Sequence, residues 1–141
     1  DEAAKMPPLG NGEAILLVED DPEVREVIRL MLETLNYRVL TAETGREALM
    51  LYRAWAGQIA LVLTDAMMPI MDGFALAAAL KAQTPELKVI LMSGYLGISE
   101  FTAEVKQYIF LHLPKPLDRQ QLAQALREAL AGSCTEKSND S

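Results

Sequence analysis

With 141 residues, half of them hydrophobic and 23% charged, the chain has the composition of a folded domain with one hydrophobic core, which excludes a wholly disordered protein. A net charge of −7 without a basic stripe argues against a nucleic-acid surface, and the lone Cys134 cannot build a disulfide framework or a zinc site, which suits a reducing, cytoplasmic setting. No apolar run approaches the ~20 residues of a membrane span, and the start lacks the pattern of a signal peptide.

Residues 1–12 mix charge with Pro7, Pro8, Gly10 and Gly12 and read as a linker ahead of a folded unit over 13–132. From Ala14 a short apolar run, Ile15-Leu16-Leu17-Val18, predicts a buried strand that stops at the acidic loop Glu19-Asp20-Asp21. Asp21-Pro22-Glu23 is a helix start, with an acidic cap and proline at the first helical position, and Val24, Val27, Ile28, Met31 and Leu35 follow as one apolar stripe. Tyr37 to Thr41 predicts a second strand. Thr44-Gly45-Arg46-Glu47 forms a capping box for a second helix that turns Ala48, Leu51, Tyr52 and Trp55 inward and ends at Gly57.

Ile59 to Thr64 is the most continuous apolar run and predicts the centre of a sheet covered on both faces, running straight into Asp65. A loop from Ala66 to Met71 leads to Asp72, the cap of a third helix that Thr84-Pro85 stops. Leu87 to Met92 predicts a fourth strand ending at Ser93-Gly94, and 95–107 has weak helical character. Tyr108 to Leu113 predicts a fifth strand ending at Pro114-Lys115-Pro116. Asp118 caps a last helix with Leu122, Ala125, Leu126 and Ala129 inward, closed by Gly132, and 133–141 reads as a polar disordered tail. Such alternation implies an α/β fold, a doubly wound parallel sheet with helices on both faces.

In that fold the functional groups gather at the carboxyl ends of the strands. Glu19 and Asp20, Asp65, Ser93 and Lys115 all fall at such ends. Adjacent carboxylates repel unless a cation joins them, and Asp20 and Asp65, with Glu19 reaching through water, suit Mg²⁺, or Mn²⁺ in its place. A soft metal is disfavoured for want of thiolates or a histidine pair. A dinucleotide is disfavoured too, because it needs glycines where Glu19-Asp20-Asp21 stand. With a cation present Asp65 can act as a nucleophile toward a phosphoryl group, Lys115 supplying charge and Ser93 a hydroxyl. Met67, Met68 and Met71 read as packing residues.

Val18-Glu19-Asp20-Asp21-Pro22, Leu63-Thr64-Asp65-Ala66-Met67-Met68-Pro69 with Met71-Asp72-Gly73, Met92-Ser93-Gly94 and Pro114-Lys115-Pro116 resemble the signature segments of two-component response-regulator receiver domains, over roughly Ala14 to Ala131. The resemblance implies a flavodoxin-like three-layer sandwich with strand order 2-1-3-4-5. It makes Asp65 the phosphoacceptor, Glu19 and Asp20 the acidic pair, Ser93 the switch hydroxyl and Lys115 the phosphoryl-pairing lysine, with a cis bond to Pro116. The backbone carbonyl of Met67 would complete the metal site. It also implies a histidine kinase or histidine phosphotransfer domain as partner, a homodimer through the last helices and fifth strand as a further contact, and no catalysis by the isolated domain beyond its own phosphorylation and dephosphorylation.

Two positions depart from the family's commonest pattern. Glu19 stands where Asp is usual, and its longer arm can bind the metal through water or swing toward Lys115. His112 stands where Tyr or Phe is frequent, a switch position at which a titratable ring introduces pH sensitivity. The segments Gly10-Asn11-Gly12-Glu13 and Leu91-Met92-Ser93-Gly94-Tyr95 resemble receivers at the carboxyl end of hybrid sensor histidine kinases. The competing readings are an aspartyl-nucleophile phosphohydrolase, which would want an acid where Met67 stands, and a receiver-like module that is never phosphorylated.

Overall fold

The computed structural model describes residues 9–55, 57–94 and 107–140. Strands and helices follow one another as β1 (Ala14–Val18), α1 (Pro22–Thr34), β2 (Arg38–Ala42), α2 (Gly45–Ala54), β3 (Ile59–Asp65), α3 (Gly73–Gln83), β4 (Lys88–Ser93), β5 (Leu111–Pro114) and α4 (Arg119–Asp140). The strands form one parallel sheet in the order β2-β1-β3-β4-β5, as expected from the alternating pattern and the resemblance.

The apolar runs of the central strands are continuous because both faces are covered. Alternate residues divide between two cores. Ile15, Leu17, Leu61, Leu63, Ile90 and Met92 pack with Ile28 and Leu32 of α1 and Leu122, Leu126 and Ala129 of α4. Leu16, Val18, Val62 and Val89 pack with Ala48 and Tyr52 of α2 and Leu76, Ala77 and Leu80 of α3. Two cores on opposite faces of one sheet make the three layers.

The caps lie where the sequence places them. The Asp21 side chain accepts from the Glu23 and Val24 amides, Thr44 from Glu47, Asp72 from Ala75 and Asp118 from Gln121. Several expectations need correction. Val27 is exposed rather than part of the core stripe, while Leu32 is buried in it. Trp55 is exposed as the residue capping α2, where the helix has already ended. Pairing in β5 starts at Leu111 rather than Tyr108: Tyr108 and Ile109 pack against the α2–α3 core without joining the ladder. Residues 9–12 do not behave as a free linker, because Gly10 and Gly12 donate to the Leu35 and Asn36 carbonyls at 2.8 Å each. The last helix continues through Gly132 to Asp140, as an internal glycine costs only about 1 kcal/mol and does not break a helix. The weak helix expected after Gly94 falls on 95–106, outside the described residues.

Candidate functional site

Strand order reverses beside β1 and β3, and the loops leaving these strands diverge to opposite faces, opening a crevice at their carboxyl ends. Glu19 follows β1 directly, and its amide donates to the Ala42 carbonyl at 3.0 Å, so it is fixed as if the strand continued. Asp65 is the last residue of β3 and Ser93 the last of β4. Glu19, Asp65 and Ser93 are 1%, 6% and 1% exposed, whereas Asp20 faces solvent. Glu19, Asp20 and Asp65 each offer a carboxylate oxygen, and the three oxygens lie within 4.8 Å of one another.

Lys115 joins this group from the end of the edge strand β5. Its Nζ lies 2.9 Å from Glu19 Oε1 and 3.2 Å from Asp65 Oδ1. Its amide donates to the Ser93 carbonyl at 2.7 Å, and the Lys115–Pro116 bond is cis as expected. Of its two expected postures, Glu19 adopts the one directed at Lys115. Its second oxygen accepts from the Asp21 amide at 3.1 Å, and its carbonyl accepts from Arg25 Nη1 at 2.8 Å.

Burial pushes the Glu19 carboxyl above the usual range, and the hydrogen bond from Lys115 does not fully offset it. For Lys115 burial alone would lower the ammonium, but the bond to Glu19 and the fields of Glu19 and Asp65 hold it above its ordinary value. The pocket therefore holds more negative charge than one lysine can balance comfortably. A divalent cation is the standard remedy. The donors are hard oxygens, without thiolate or imidazole, so the set fits a hard cation such as Mg²⁺.

The segment after β3 is held tightly at its start and end. The Ala66 amide donates to the Met92 carbonyl at 2.7 Å and the Gly73 amide to the Ala66 carbonyl at 2.9 Å. A Cβ on Gly73 would come within 2.3 Å of the Asp65 carbonyl, so only glycine lets α3 begin this close to the acid. Between these anchors Met67 is 63% exposed and Ile70 fully so. Ile70 has φ 71°, and the Met71 amide donates to the Pro69 carbonyl at 2.7 Å across it, a γ-turn.

Ser93 Oγ and His112 Nε2 are 2.5 Å apart. Burial lowers the His112 pKa below its ordinary value. Glu19, Asp20, Asp65 and Lys115 thus converge, Ser93 stands at the end of the neighbouring strand with its hydroxyl on His112, and Asp21 and Asp72 act as caps. Sequence reasoning missed an apolar groove of about 480 Å³ beside Lys115, lined by Val24, Val27, Ile28, Met31, Pro116 and Leu117. Val27, apolar but outside the buried face of α1, is the signal that could have found it.

The family model described as response regulator receiver domain matches residues 15–127. The chain is 35% identical over 119 residues to the transcriptional regulatory protein GlrR of Escherichia coli, covering 84% of this chain and 26% of that protein. It is 35% identical over 129 residues to the sensor kinase CckA of Brucella abortus, covering 89% of this chain and 13% of that one. The chain thus spans about a quarter or less of these relatives. Among solved structures, the response regulator TrrA of Thermotoga maritima in complex with Mg²⁺-BeF matches with TM-score 0.75 and 26% identity, covering 84% of this chain and 99% of that one.

Proposed function

The chain belongs to the response regulator receiver domain family, and from that premise we propose that Asp65 accepts a phosphoryl group from a phosphohistidine of a histidine kinase or phosphotransfer protein. The observation that carries this reading is Lys115 Nζ lying within 3.2 Å of Asp65 and 2.9 Å of Glu19, inside a cluster of acids at the end of β3. An Asp65 oxygen attacks phosphorus, the new P–O bond replaces the P–N bond, and the donor imidazole departs with the bonding electrons. Lys115 turns from Glu19 to the incoming phosphoryl oxygens, and the Ser93 hydroxyl donates to another. Asp20, Asp65 and the Met67 carbonyl would hold Mg²⁺, with Glu19 acting through water, and the ion supplies charge neutralisation between carboxylate and phosphoryl.

Transfer from a protein-borne histidine brings a protein surface against the rim of the pocket. The groove lined by Val24, Val27, Ile28 and Leu117 shares Lys115 with the acceptor site and offers the apolar contact such a donor needs. The match to a sensor kinase supports a parent chain of the hybrid kinase kind, and the single cysteine supports a cytoplasmic setting. No helix among the described residues is long and apolar enough to cross a membrane.

Incubation with Mg²⁺ and acetyl phosphate tests the reading by intact mass. One phosphoryl is expected on the wild type and none on Asp65→Asn. A wild type that stays unmodified points to the non-phosphorylated module, and steady turnover of small phosphoesters points to the phosphohydrolase.

A further inference from the structure

Arg25 lies near the start of α1, where a cation opposes the helix dipole, so helix stability alone gives no reason for it. Its guanidinium turns back to the acid loop. Nη1 donates to the Glu19 carbonyl at 2.8 Å, and Nη2 lies 3.7 Å from Glu43 Oε2 on the loop that leaves β2. An exposed pair of that length contributes little energy. It does orient the guanidinium plane, and Glu43 is itself fixed, its amide donating to Glu47 Oε1 at 2.8 Å. The Arg25 amide, meanwhile, donates to the Asp21 carbonyl at 2.8 Å as the first helical bond. Arg25 thus holds the carbonyls on both sides of Asp20.

The Glu19 carbonyl shares a rigid peptide plane with the Asp20 amide, so fixing the one fixes the direction in which the chain enters Asp20. Asp20 is the acid with most need of this. Glu19 and Asp65 are buried at strand ends, whereas Asp20 is exposed, and three like charges within 4.8 Å push it outward until a cation joins them. Resting on the phosphoacceptor reading, we propose that Arg25 is a positioning residue for the metal site, which brackets Asp20 and keeps its carboxylate turned to Glu19 and Asp65 before the cation binds. It acts through the Glu19–Asp20 peptide and needs no contact with the ion. The role calls for arginine, because the planar fork reaches Glu19 and Glu43 together and a single ammonium does not.

The sign of the effect on Mg²⁺ separates this role from a purely electrostatic one. A positive charge beside a cation site repels the ion, so removing it tightens binding if its field is all that Arg25 supplies. Loss of the bracket weakens binding instead. Calorimetry with Mg²⁺ on the full chain should show Arg25→Ala binding about tenfold more weakly, the low end for loss of a group that orients a metal ligand. Arg25→Lys, which keeps the charge but not the fork, should be weakened at least as much. In the metal-free chain the Asp20 amide nitrogen resonance should move in both variants, while that of Val62 inside β3 stays in place. Unchanged or tighter binding by Arg25→Ala overturns the bracket and leaves the phosphoacceptor reading intact, as does full recovery in Arg25→Lys or an Asp20 resonance that does not move. A wild type that binds no Mg²⁺ and takes no phosphoryl from acetyl phosphate overturns both. Should Arg25→Ala fail to fold, Arg25→Lys decides against the wild type.

Discussion

β3 and β5 both deliver chemistry to the same edge of the sheet, but they hold it differently. β3 lies between β1 and β4, is buried along almost its whole length, and ends in an acid whose neighbours are fixed by the Ala66 and Gly73 amides. β5 is an edge strand of four residues, two of them half-buried, and its histidine meets the end of β4 at Ser93. The difference separates a part held from both sides, where the acids lie within ångströms of each other, from an edge part with fewer strand partners. Catalytic positioning needs the first, and a switch needs the second.

The largest expected effect tests that contrast directly. Leu63→Ala in β3 should destabilise the chain by about 2–5 kcal/mol. Leu111→Ala in β5 should cost under about 2 kcal/mol, since part of that side chain already meets water. Urea denaturation of both variants checks this, and equal costs would erase the distinction. Next, Glu19→Gln should weaken Mg²⁺ binding roughly 10- to 100-fold by calorimetry, as loss of an outer partner to a metal does. An unchanged affinity would place Glu19 outside the part held from both sides and make it only Lys115's resting partner.

Smaller effects sharpen the picture. Ile70 holds a positive φ with a branched side chain wholly in solvent, so Ile70→Asn should raise stability by about 1 kcal/mol in the same denaturation assay. Strain at this rim would then be local to the loop and not part of the strand that carries Asp65. The smallest effect is a pH slope. Burial lowers the His112 pKa, so the unfolded chain binds a proton there more readily than the folded one, and stability should fall as pH drops below about 6.5. Glu128 of α4 lines the cavity beside β5 with Gln121 and Gln124, and it is the charged side chain among those residues. As the chain has one histidine, His112→Phe should remove the imidazole's share of the slope, leaving the opposite-signed contribution of the raised Glu19 carboxyl.

Much of the fold was legible because β1, β3 and β4 are covered on both faces and so appear as uninterrupted apolar runs that stop at polar residues. Those stops make up the candidate site: Glu19, Asp20, Asp65 and Ser93 are conspicuous because nothing in a sheet interior needs them. Elements that depend on tertiary choice were harder. Tyr108 to Phe110 have strand-like residues but pack as a turn, Phe110 lying under the Lys88 ammonium at 5.1 Å from its centroid. Trp55 and Val27 are apolar yet face water, which periodicity cannot tell from burial. The bond between Ser93 and His112 joins residues nineteen apart through side-chain geometry that spacing does not encode. Gly10 gives the same lesson, since it is pinned by Leu35 and packed against Tyr37 though it sits in a linker-like composition.

The most direct measurement is a crystal structure of the chain grown with Mg²⁺ and beryllofluoride. The account predicts the cation bound directly by Asp20, Asp65 and the Met67 carbonyl, beryllium on an Asp65 oxygen, and Lys115 moved from Glu19 to a fluoride. A cation bound elsewhere, or an Asp65 left bare with Lys115 still on Glu19, would contradict it.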